Sequence, residues 1–91
     1  MTFTVQWYDT ARKDLRSLDK QTAQRIIKKV KAVVENPLRF VDRLEGFPLY
    51  KLRVGNYRVI LHLDISQQQI LIILVGHRSN VYKELPKRQS V

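Results

Sequence analysis

Cysteine is absent from these 91 residues. No disulfide, thiolate metal ligand or cysteine nucleophile can therefore be built. Histidine occurs only at His62 and His77, too few and too scattered for a metal motif. Gly and Pro contribute three residues each, which argues against extended disorder away from the ends. Long apolar runs are missing too. Ile70 to Val75 is the longest, far short of the ~20 residues that cross a membrane. The opening Met1-Thr2-Phe3-Thr4-Val5-Gln6-Trp7 has no basic stretch leading into an apolar one, so no signal peptide is expected. These absences predict a cytoplasmic protein with no membrane contact, metal or cofactor. Negative charge is scarce as well. Eight acidic residues face 17 basic ones, for a net charge of +9. Such an excess costs self-repulsion in the folded state and favours a polyanionic partner, nucleic acid being the commonest.

The length fits one domain over residues 1–91. Phe3, Val5 and Trp7 alternate with polar residues, as in a strand with one buried face. Asp9 and Thr10 are good helix N-caps, and Ala11, Leu15 and Leu18 recur at helical spacing, which predicts a helix over 9–18. Asp19 can cap a second helix, in which Ala23, Ile26, Ile27, Val30, Val33 and Val34 form an apolar stripe. Asn36-Pro37 ends it. Residues 38–48 carry no period and read as a loop. Tyr50, Leu52 and Val54 then alternate with Lys51 and Arg53, and Gly55-Asn56 makes a two-residue turn. Alternation resumes through Tyr57, Val59, Leu61 and Leu63. After a polar turn at Ser66-Gln67-Gln68, Ile70 to Val75 reads as a central strand buried on both faces. Residues 81–85 suit a helical turn, and 86–91 a frayed end. The fold class is therefore α+β: an N-terminal strand, a helical hairpin packed on a small, mostly antiparallel sheet, and a short C-terminal helical tail.

The two-residue turn sets the register of the hairpin. Val54 should face Tyr57, Arg53 should face Arg58, and Lys51 should face Ile60. Side chains two apart share a face, so Lys51, Arg53 and Arg58 crowd together. Like charges directly opposite on a sheet are destabilising, and no carboxylate lies between Lys51 and Ile60 to offset them. Gly76-His77-Arg78-Ser79-Asn80-Val81-Tyr82 follows the buried strand and adds a histidine, an arginine and a tyrosine. Arginine can clamp phosphate oxygens with two hydrogen bonds. Tyrosine can stack on an unpaired base, or simply pack the tail onto the sheet. His77 is either an ordinary strand-end residue or an acid/base group. His62 reads as a surface residue.

At these residues the chain resembles the RelE toxins of the RelE/ParE superfamily. The matching stretches are Leu44-Glu45-Gly46, Tyr50-Lys51-Leu52-Arg53, Gly55-Asn56-Tyr57-Arg58-Val59-Ile60, and Gly76-His77-Arg78 with Tyr82 downstream. The resemblance covers nearly the whole chain and implies a RelE/ParE-like fold. It implies a toxin that cleaves mRNA in the ribosomal A site, without a metal, by 2′-hydroxyl attack that leaves a cyclic phosphate. The implied partners are a RelB-like antitoxin, with a heterotetramer as one arrangement, together with the ribosome and mRNA. Lys51 and Arg58 would stabilise the scissile phosphate. Arg53 falls where the family often has a lysine acting as general base, and Arg78 falls at the general acid. Tyr82 would stack on a codon base and orient the 2′ hydroxyl.

Arg53 departs from the pattern. A guanidinium with a pKa above ~12 hardly deprotonates and is a poor base. His77 is a substitute, since an unperturbed histidine titrates near ~6.5. Asp42 and Glu45 are weaker ones. Alternatively, charge stabilisation and in-line positioning supply the rate without a strong base. Two other functions share the fold pattern: inhibition of DNA gyrase in the manner of ParE, and RNA binding without cleavage.

Overall fold

The computed structural model describes residues 2–89. Strand β1 (Thr4–Trp7) leads into helices α1 (Asp9–Arg16) and α2 (Lys20–Ala32). A 3₁₀ turn (Pro37–Arg39) and a two-residue strand β2 (Asp42–Arg43) precede β3 (Tyr50–Val54), β4 (Tyr57–Asp64), β5 (Gln69–His77) and helix α3 (Val81–Gln89). The sheet runs β1-β5-β4-β3-β2. Only the β1–β5 pairing is parallel. The expected α+β arrangement is present, with β5 inside the sheet.

Two elements begin or end differently from the sequence expectation. Helix α1 is capped by Tyr8, which makes no side-chain cap bond. Thr10 instead donates its hydroxyl to the Ile73 carbonyl at 3.2 Å. Asp19 does cap α2, accepting from the Thr22 N–H at 3.0 Å and the Thr22 hydroxyl at 2.6 Å. These bonds stabilise the charged carboxylate and lower its pKa. Helix α2 stops at Ala32, ahead of Asn36-Pro37, because a hydrogen-bonded turn at Val33–Asn36 takes over.

Residues 38–48 are not wholly irregular. Asp42 and Arg43 pair with Lys51 and Tyr50. Two residues are too short a stretch to show a hydrophobic period, so the strand was invisible to patterning. The C-terminal tail is longer than the single turn expected. It forms a helix to Gln89, so residues 86–89 of the expected frayed end continue the helix, and residues 90–91 lie outside those described.

The sheet is buried on both faces. One core joins Ile26 and Val30 of α2, and Val33 at its C-cap, to Leu52, Val59, Leu61, Ile70 and Ile72. A second, smaller core lies on the opposite face: Ile60 and Leu74 pack beneath Val81 and Leu85 of α3, with Leu44 and Leu49 beside them. Strand alternation hid this second core, because Ile60 sits on the face that also carries Lys51 and Arg58.

A β-bulge links the two cores. Ile60 pairs with Leu74 but Leu61 pairs with Ile72, which leaves Ile73 extra. Helix α1 supplies the bonds that the ladder loses there. Besides the Thr10 bond, the Asp14 carboxylate accepts the Val75 N–H at 3.0 Å. Before the bulge Ile70 and Ile72 face the helical core. After it Val75 does, while Leu74 faces α3.

Candidate active site

The hairpin has the predicted register. Val54 faces Tyr57, Arg53 faces Arg58 and Lys51 faces Ile60. Gly55 has φ +58°, whereas Asn56 has no positive φ. That pattern is a type II′ turn with glycine at its first central position. Leu52 and Val54 are buried against the helices, so Lys51, Arg53 and Arg58 project from the other face.

Arg58 is held before any ligand arrives. Its Nη1 donates to the Gly55 carbonyl at 2.9 Å and to the Tyr57 carbonyl at 2.8 Å. Guanidinium carries five N–H donors in a fixed fork. The Nε and Nη2 donors remain available for phosphate oxygens. Across the sheet Arg58 pairs with Gly76. A Cβ at Gly76 would lie 3.4 Å from the Val81 Cβ, an ordinary contact, so α3 packs directly over this position.

Helix α3 also delivers Tyr82. The Lys51 Nζ lies 5.9 Å from the centroid of the Tyr82 ring, a cation–π contact. Tyr82 is 39% exposed, so part of its surface remains open to a ligand. Arg78 follows directly after β5 and is exposed. Its backbone N–H donates to the Asn56 carbonyl at 2.8 Å, which ties it to the hairpin turn. None of Lys51, Arg53, Arg58 and Arg78 forms an ion pair with a described residue. One end of the sheet thus gathers cations that form no ion pair with a described residue, and a half-exposed tyrosine.

His77 goes elsewhere. It pairs with Tyr57, and the two rings meet edge-on at 5.5 Å on the opposite face from Arg58. Its Nδ1 accepts the Ser79 N–H at 3.2 Å and lies 2.8 Å from the Ser79 hydroxyl. The bulge causes this placement. Without the extra Ile73, Val75 would face Arg58 and His77 would lie on the same face as Arg58. Asp42 is the cross-strand neighbour of Lys51. Glu45 is exposed in the connection between β2 and β3. Among the described residues no three His, Asp or Glu side chains come together as a metal site, and no helix is long and apolar enough to cross a membrane.

Sequence reasoning missed the Asn56 carbonyl, the Gly55 carbonyl and Gly76. The two carbonyls are backbone groups and carry no residue signal. Gly76 carried one: a lone glycine ending an apolar strand often marks a close approach of backbone.

Comparison with known proteins agrees with this geometry. The family model described as the ParE toxin of the type II toxin-antitoxin system, parDE, matches residues 5–82. The mRNA interferase toxin RelE of Escherichia coli K12 is 30% identical, over 97% of this chain and 98% of its own. Among solved structures, the toxin-antitoxin complex RelBE2 of Mycobacterium tuberculosis contains a chain that superposes with TM-score 0.78. That match is 27% identical and covers 86% of this chain and 100% of the other. The archaeal RelE-RelB complex of Pyrococcus horikoshii gives TM-score 0.74 at 30% identity, over 89% and 100%. The fold, the cationic end of the sheet and these likenesses agree: the chain belongs to the RelE/ParE family of type II toxin-antitoxin toxins.

Proposed function

We propose that this chain is a toxin that inhibits translation by cutting mRNA in the ribosomal A site. The observation that carries it is the convergence of Lys51, Arg58, Arg78 and Tyr82 on one end of the sheet, with none of the cations in an ion pair with a described residue. An RNA phosphate passing through a pentavalent state gains negative charge, and fixed cations stabilise that state.

The 2′ oxygen attacks phosphorus and the bond to the 5′ oxygen breaks, leaving a 2′,3′-cyclic phosphate and a 5′ hydroxyl. Lys51 and Arg58 hold the non-bridging oxygens. Arg78 gives a proton to the departing 5′ oxygen. An alkoxide is more basic than a guanidine, so this transfer runs downhill even though a guanidinium is a weak acid. The 2′ proton leaves to solvent, and no side chain is needed as a strong base. Tyr82 stacks on a base and sets the in-line angle. The protein groups supply charge, position and the proton for the leaving group, solvent takes the 2′ proton, and the reaction takes place in the cytoplasm. His77 takes no part, because its ring lies behind the sheet with Nδ1 engaged by Ser79.

An acidic, RelB-like antitoxin would bind this chain and block the site. The relatives solved as complexes with RelB support that partnership. Mapping of mRNA 3′ ends during translation in vitro tests the function. Cuts inside codons at the A site are expected, and intact mRNA overturns it. The ParE description of the family model favours one second reading, inhibition of DNA gyrase. It predicts loss of supercoiling with mRNA left whole.

A further inference from the structure

The cationic surface continues past the hairpin face. Strand β2 pairs only with Tyr50 and Lys51, so the outer edge of β3 is open at Arg53. There Arg53 borders a cleft of about 380 Å³, lined also by Arg25, Lys28 and Lys29 of α2 over a floor that includes Ala32 and Gly55. No acidic residue lines it. None of its four cations forms an ion pair with a described residue.

Arg25, Lys28 and Lys29 follow the spacing that places side chains on one stripe of a helix. Like charges at that spacing repel, and a carboxylate at one position would have relieved them. Two contacts hold the cations in place. The Arg25 guanidinium rests on Gly55, where an added Cβ would lie 2.8 Å from its Nη2. The Lys29 Nζ sits 5.7 Å from the centroid of the Phe40 ring.

We propose that this cleft is a second anion site, which grips the phosphodiester backbone of structured RNA away from the bond to be cut. The proposal rests on the RNA-directed function above and extends it. Continuity favours RNA over a free polyphosphate or an acidic peptide. Arg53 lines the cleft and is also the cross-strand neighbour of Arg58, so a polyanion leaving the cleavage site meets cations without a break around the hairpin tip. No aromatic ring lines the cleft. It therefore offers phosphate contacts, which position a nucleic acid, rather than stacking or base readout. The assignment also gives Arg53 work that suits it: a permanently charged fork is a poor base and a good phosphate clamp.

The test measures binding of the whole chain to a fully 2′-O-methylated RNA hairpin, which cannot be cut, across a range of salt. The variant R25Q/K28Q should bind about tenfold more weakly near ~0.15 M salt. The slope of log affinity against log salt should become shallower by about 1.5, as expected for two lost phosphate contacts. The charge-preserving R25K/K28R should keep both values, and melting curves report whether each variant is folded. Unchanged affinity and slope in folded R25Q/K28Q overturn the proposal. So does a defect seen only with inorganic tripolyphosphate or with polyglutamate, which would assign the cleft to a free polyphosphate or an acidic protein. Because the probe cannot be cut, binding through the cleft alongside intact mRNA overturns the cleavage function and not the cleft.

Discussion

Arg58 shows how one side chain can be both structural and chemical. Its bonds to the Gly55 and Tyr57 carbonyls tighten the turn and aim the remaining donors outward. Replacing Arg58 with Ala should slow mRNA cleavage by about 10²–10³-fold, the usual cost of one charge-stabilising donor. It should cost only ~1 kcal/mol of stability through the lost bonds. Lysine at 58 keeps the charge and loses the fork, so its rate should fall between the two. Single-turnover cleavage and urea melts separate these effects. Gly55 is the other sensitive position. Alanine there must adopt φ +58° and displace the Arg25 guanidinium. A loss of ~1–2 kcal/mol is expected from the backbone term alone, read from the same melts.

Among the elements, helix α2 and the β4–β5 turn carry the acid sensitivity. Asp19 caps α2, and Asp64 accepts from the Ser66 hydroxyl and the Gln67 N–H. Both carboxyl pKa values are lowered by those bonds. A lowered folded-state pKa adds stability that is complete above the unfolded value, near ~3.9, and is lost as pH falls through the folded value beneath it. The melting temperature should therefore drop as pH goes from about 4 to about 2. The variant D19N/D64N should flatten that drop while melting normally at pH 7, since asparagine also caps and turns well. An equal acid drop in both proteins would remove these two groups from the account. On the bulge, Asp14→Ala deprives the Val75 N–H of its acceptor and should cost ~1–2 kcal/mol. The apolar periods of α2 and of the hairpin could be read directly from the chain. The bulge could not, because an extra residue inside an unbroken apolar run leaves the pattern unchanged.

At the scale of the molecule, α3 is the element on which the site depends. It brings Tyr82 to Lys51 and is anchored by Val81 and Leu85, each 1% exposed. Leu85→Ala should destabilise the fold by ~2–4 kcal/mol, the range for buried leucines. Cleavage should weaken under conditions where the rest of the sheet remains folded, because Tyr82 loses its support. Denaturation followed in parallel by far-UV signal and by tyrosine fluorescence would show α3 releasing first. Full cleavage with α3 detached would contradict this dependence. Net charge acts at the same scale. Self-repulsion at +9 should be relieved by screening, so the melting temperature should rise between low and moderate salt.

What the chain alone determined was everything local. Period-2 and period-3.6 patterns placed the hairpin and the two helices, and an unbroken apolar run placed β5. Glycine at 55 set the turn, and the turn set Arg53 against Arg58 beside Lys51. These follow from strand alternation and backbone sterics within a few residues. Tertiary structure decided what depends on residues far apart in sequence. The bulge on β5, held by Thr10 and Asp14, moved His77 to the face opposite Arg58 and set Gly76 rather than Val75 across from Arg58. Helix α3 covered Ile60 and set Tyr82 on Lys51. Helix α2 brought Arg25, Lys28 and Lys29 to the edge of Arg53. Each is a contact whose partners share no local pattern, and packing both faces of one sheet was needed to bring them together.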